Sequence, residues 1–147
     1  MAVWTHVGPE PIDPAGVLAR VGSADDGAVV LFVGIVRNHA EGRSVSGMTY
    51  EAYTSMAASE LAALASEAAE RWQTDRIAVV HRTGALTLGE PSVAIALSTP
   101  HRAEGYEASR WIIEAIKERL PIWKHEHFVD GESRWVPGRT PPTPAAS

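Results

Sequence analysis

Apolar and polar residues follow two different periods along the chain. Residues 27–37, GAVVLFVGIVR, form an almost continuous β-branched and aromatic run between the polar stretches SADDG and NHAEGRS, a pattern that predicts a largely buried strand. SVSGMTYEAY follows as its expected antiparallel neighbour. Between Ser55 and Trp72 the apolar positions Leu61, Leu64, Ala65, Ala68 and Trp72 recur every three or four residues in an alanine-rich segment, which predicts a helix. RIAVVHRTG and EPSVAIALST flank the turn-rich ALTLGE and predict a pair of neighbouring strands.

A second helix is expected to open at Thr99 as N-cap with Pro100 in its first position. It carries Tyr106, Ile113, Ile116 and Leu120 toward the core and stops at Pro121. Residues 122–136 then predict two short strands around the turn cluster VDGES. Strands mixed with two substantial helices, without regular β-α-β spacing, place the chain in the α+β class with a mixed or antiparallel sheet. One domain is expected over residues 1–136, followed by a Pro-rich tail, residues 137–147, expected to be disordered in isolation.

A length of 147 residues, with 45% hydrophobic and 21% charged residues, suits one globular domain with a real core. No apolar run approaches the roughly 20 residues that span a bilayer, and the N-terminus lacks the basic and apolar segments of a signal peptide. The expectation is a cytoplasmic protein with no membrane partner. A formal net charge of −5 argues against general nucleic-acid binding, so any anion site must be local. The absence of cysteine excludes disulfides, thiolate metal sites, a catalytic thiol and a persulfide carried on this chain.

Three places can carry chemistry. In STPHRAEG, His101 and Arg102 fall in the opening turn of a helix, where cations are misplaced against the dipole unless a bound anion reverses the balance. The plainer reading has Arg102 in solvent and His101 packing or capping. Arg37 ends an apolar strand and enters a polar loop, a frequent position for binding residues and equally for a strand end reaching water. In IKERLPIWKHEHF, Lys117 and Lys124 stand on either side of the helix break at Pro121, beside Ile122 and Trp123. A partly desolvated lysine suits proton transfer, nucleophilic attack or oxyanion stabilisation; a snorkelling lysine covering apolar surface is the alternative. His125 and His127 share one side of a strand, a spacing that without a third ligand is a weak metal signal.

Taken together, GAVVLFVGIVRNH, MTYEAYTSMA, VVHRTGALTLGE, STPHRAEGYEAS and IKERLPIWKHE resemble, in order and across residues 3–136, the MoaE family, the catalytic large subunits of molybdopterin synthase. The resemblance implies an α/β-hammerhead fold and a sulfurtransferase of molybdenum-cofactor biosynthesis. It implies a homodimer carrying a small ubiquitin-like MoaD subunit at each end, a heterotetramer of two and two. The carrier's C-terminal thiocarboxylate would supply sulfur to cyclic pyranopterin monophosphate, making the dithiolene of molybdopterin. A cysteine-free sulfurtransferase needs such an external donor, and no cofactor or metal of its own is implied.

Carried over by motif, the resemblance makes Lys117 and Lys124 the catalytic lysines and His101 and Arg102 substrate contacts. Arg37 matches the family's GxVR arginine, and His125 and Glu126 become pocket neighbours of Lys124. Ile35 stands where some members have lysine. The reading of a different class is a non-catalytic dimeric adaptor gripping the tail of a ubiquitin-like protein; Schiff-base chemistry at Lys124 is another. If residues 100–120 form one helix, His101 and Lys117 are separated by about 24 Å along its axis, too far for one compact ligand within one chain. The two halves of the site are then expected from different subunits, unless the helix breaks near Gly105.

Overall fold

A computed structural model describes residues 3–136. Its first sheet is mixed and holds four strands in the order β1 (Val3–Gly8), β5 (Ile77–Arg82), β7 (Pro91–Thr99), β2 (Ala28–Ile35). β1 runs parallel to β5, and the other two pairings are antiparallel. Alternation along the central strands sends Ile77, Val79, Val93, Ile95 and Leu97 to one face and Ala78, Val80, Ala94 and Ala96 to the other. Large residues meet the helices α2 (Thr54–Arg71) and α3 (Arg102–Arg119), whereas the small ones meet the five-residue α1 (Pro14–Leu18). The second sheet places β4 (Arg43–Ala52) between β8 (Ile122–Phe128) on one side and β3 (His39–Ala40) and β6 (Gly84–Thr87) on the other, with β9 (Ser133–Trp135) beyond β8.

The α+β class, the mixed sheet and the two main helices match expectation. α2 covers the predicted span, with Leu61, Leu64, Ala65 and Ala68 fully buried, and Trp72 at its C-cap meets Trp111 of α3 at 5.8 Å. The β5–β7 pairing and the short β8–β9 pair are also present.

Other expectations fail for identifiable reasons. β2 is an edge strand, so Val29 and Ile35 remain 51% and 58% exposed in the single chain despite the apolar run. SVSGMTYEAY does not pair with β2; it leaves the first sheet and becomes β4, the hub of the second. ALTLGE is partly strand, because β6 gains β4 as a partner. The second helix opens later than expected: Thr99 ends β7, where its buried hydroxyl donates to the carbonyl of His101 at 2.6 Å, and His101 is the N-cap. Tyr106 points outward at 66% exposure while Ile112 takes the buried place. β1 and α1 carry no strong periodic signal and enter the fold through contact with β5 and β7.

Among the described residues no helix is long and apolar enough to cross a membrane. The Pro-rich tail, residues 137–147, which contains Arg139, lies outside the described residues.

Candidate active site

α3 runs without a break from Arg102 to Arg119, and Leu120 turns to extended backbone ahead of Pro121. Its last turn holds Lys117 and Arg119, cations suited to the negative end of the helix dipole. Arg119 fixes this end to α2 by ion pairs at 2.6 Å to both Glu60 and Glu67. The chain then re-enters as β8, where Ile122, Lys124 and Glu126 lie on the side facing the interior.

Lys117 and Lys124 therefore converge. Both line two adjoining cavities of about 290 Å³ each, which also share Ile35, Tyr50 and Val136. One lobe is mainly apolar, walled by Phe32, Val93, Ile113, Ile116 and Ile122, with Tyr50, His81 and Ser92 as polar groups. Its neighbour is polar and contains Arg37, His39 and Glu126. The chain has eleven arginines but only two lysines, and both stand between these lobes.

Arg37 is held at the polar lobe by its buried neighbour Val36, whose backbone N–H donates to Glu90 at 3.1 Å and whose carbonyl accepts from Gly89 at 2.7 Å. Glu90 itself accepts from the Thr87 backbone, the Thr87 hydroxyl and Arg82. The Thr87 backbone bond, joined by the Arg82 contact, holds its carboxyl down at about 2. Glu126 is the one carboxylate among the described residues lining the polar lobe; it is buried and accepts from Arg134 Nε at 2.9 Å. Three cations thus face a carboxylate already engaged, and the lobe favours an anion.

Sequence reasoning missed the polar groups of the apolar lobe. His81 is buried where the chain passes from β5 in the first sheet to β6 in the second. Its Nδ1 lies 2.8 Å from the Arg82 carbonyl, so Nδ1 carries the proton. Burial pushes its pKa down to about 4, the Arg82 bond opposes this, and Lys124 and Lys117 lower it further. Tyr50 packs edge-on to His81 at 5.4 Å, and Lys124 Nζ lies 5.8 Å from the Tyr50 ring centre. Burial raises the Tyr50 pKa, opposed by its bond with Ser92. The break at Pro121 and the scarcity of lysine were the sequence signals for the two lysines; His81 lies within VVHRTGALTLGE, but its residues alone assign it no role.

Of the residues expected at the site, Arg37, Lys117, Lys124 and Glu126 come together in one chain. His125 does not: strand alternation sends it to the opposite face of β8, where it stacks on Trp135 at 4.5 Å and lies 5.0 Å from His127. Trp123 shares that outer face and meets Tyr53 edge-on at 5.0 Å. His101 and Arg102 are exposed at the far end of α3 and line neither lobe. Among the described residues no group of three or more His, Cys, Asp or Glu side chains is placed to hold a metal ion.

The family model described as MoaE protein matches residues 7–119, well over half of the chain. The chain belongs to the MoaE family. The molybdopterin synthase catalytic subunit of Halalkalibacterium halodurans is 47% identical over 127 residues, covering 86% of this chain and 81% of that protein. A crystal structure of molybdopterin synthase from Staphylococcus aureus superposes with a TM-score of 0.82 at 39% identity, covering 88% of this chain and 94% of that one. The complex of subunits 1 and 2 of molybdopterin-converting factor from Helicobacter pylori contains a chain of the same fold, with a TM-score of 0.67 at 20% identity and coverage of 97% and 94%. Within this MoaE chain, the helix-end and strand lysines occupy the centre of the cavity system.

Proposed function

We propose that this MoaE chain is the catalytic subunit of a molybdopterin synthase, transferring sulfur from the C-terminal thiocarboxylate of a small ubiquitin-like subunit to cyclic pyranopterin monophosphate. The observation that carries the reading is the placement of both lysines between an apolar lobe and a cationic one. Such a cleft suits a flat heterocycle or an extended peptide tail on one side and a phosphate on the other. The absence of cysteine supports an external sulfur donor. Similarity to catalytic subunits of molybdopterin synthase supports the reaction class.

In this reading Lys124 orients the pterin-derived substrate and donates a proton to it. Lys117 polarises the thiocarboxylate carbonyl and stabilises the negative charge that develops on its oxygen during attack and later hydrolysis. Glu126, held by Arg134, limits the positive charge around Lys124 without occupying the cavity centre. His101 and Arg102 contribute the phosphate contacts from a second copy of the chain, and the assembly is a homodimer with one carrier per catalytic chain.

The test is single-turnover dithiolene formation from the pterin monophosphate and a preformed thiocarboxylate carrier. Lys117→Ala and Lys124→Ala are each expected to slow it by about 100-fold or more. Full activity in both variants overturns the assignment.

A further inference from the structure

The apolar lobe contains several groups able to donate hydrogen bonds, but His81 supplies a different function. Its Nδ1–H is committed to the Arg82 carbonyl at 2.8 Å, so the ring nitrogen left for the cavity wall is Nε2, an acceptor without a proton. The ring is 5% exposed, fixed between the end of β5 and the edge contact with Tyr50. The groups around it are Tyr50 of β4, Lys117 of α3 and Lys124 of β8, together with Ser92 of β7. Neither lysine can accept a hydrogen bond as an ammonium, and the Ser92 hydroxyl donates to the Gly34 carbonyl at 3.3 Å.

We propose that His81 is a specificity-determining residue whose Nε2 accepts a hydrogen bond from an N–H group of the ligand in the apolar lobe. The inference rests on the functional reading above, which offers two sources of that chemistry: a ring N–H of the pterin, or a peptide N–H of the carrier's C-terminal tail. A neutral acceptor beside two cations selects for a ligand that presents a donor at this point and a negative or carbonyl oxygen toward the lysines. An imidazolium there would reverse the preference and add a third positive charge. Burial, with the field of Lys124 and Lys117, keeps the ring neutral at pH 7.

The direct test follows the histidine ring and lysine side-chain nitrogens by NMR in 15N-labelled full-length protein at pH 7. Cyclic pyranopterin monophosphate and the carrier are added separately and then together. The His81 Nε2 resonance is expected to move toward the hydrogen-bonded range with one ligand, and the identity of that ligand assigns the source. Because the chain has only two lysines, their resonances report occupancy of the same cavity. If the lysines respond while His81 Nε2 does not, this inference is overturned and the functional reading stands. If neither lysine responds to either ligand or to both, the functional reading fails and this inference falls with it.

Variants give a second, independent readout. His81→Leu removes the acceptor and is expected to raise KM for the assigned ligand about three- to tenfold, with little change in kcat. His81→Gln, which places an amide oxygen near the Nε2 position, is expected to restore most of that loss. Equal KM values in wild type and H81L, or equal impairment of H81L and H81Q when both are folded, count against the proposal. Should H81L fail to fold, the wild-type NMR titration decides the matter alone.

Discussion

His81 also gives the molecule an acid-sensitive point. In the unfolded chain its imidazole titrates near the ordinary value of about 6.5, whereas in the fold burial lowers it to about 4. Between these values the unfolded state binds the extra proton, so stability rises with pH across this window and is lost as pH falls through it. The total is about 3 kcal/mol, most of which is gone by pH 4.5. His81→Gln lacks this proton uptake. Urea unfolding of wild type and H81Q at pH 7 and pH 4.5 is expected to show a smaller acid loss in the variant, by roughly 2 to 3 kcal/mol. Equal losses would mean that His81 is not held neutral in the fold. Glu90 acts in a lower window: with a folded value of about 2, its contribution is full above the ordinary carboxylate value of 4.5 and is lost as pH falls from there toward 2.

At the scale of elements, α3 connects two chemically distinct ends. Its first turns lie so close to the sheet that a Cβ on Gly105 would sit 3.0 Å from Val30 Cγ2 and 3.1 Å from Thr99 Oγ1. Gly105→Val is therefore expected to destabilise the protein by about 1 to 3 kcal/mol through overpacking, even though glycine is a poor helix former. A urea midpoint equal to or above that of wild type would show that the helix can lift without cost. The period of this helix and of α2 was legible in the sequence because each buries one stripe against a sheet. β1 was not, since its parallel partner β5 is distant in sequence and no local turn announces the pairing. The apolar run of β2 was legible as strand but misleading about burial, because composition does not distinguish an edge from a centre. The site divided the same way. Lys117 and Lys124 could be found from the Pro121 break between them, whereas His125 was misplaced by sequence adjacency to Lys124, and His81 gains its role only where two sheets meet.

At the scale of the whole molecule, the continuity of α3 decides how a complete site can be assembled. The helix has no break at Gly105, so His101 remains about 24 Å along the axis from Lys117. A single chain presents Arg37, Lys117, Lys124 and Glu126 around the cavities, while the exposed His101 and Arg102 have no part in them. An edge strand with Val29, Leu31 and Ile35 exposed offers apolar surface that a second chain can cover. If the partner's helix start completes the site, each catalytic centre draws its lysines from one chain and its phosphate contacts from the other. Arg102→Ala and Lys117→Ala homodimers are then both expected to be nearly inactive. Mixing the two variants under conditions that exchange subunits should produce heterodimers in which one centre combines both lesions and the other has neither. Such a heterodimer is expected to recover about half of the wild-type rate per dimer, one intact centre out of two. Purified heterodimers with no recovery, while wild-type chains exchanged in the same way retain activity, would place both residues in the site of a single chain, and an active Arg102→Ala homodimer would remove Arg102 from the site.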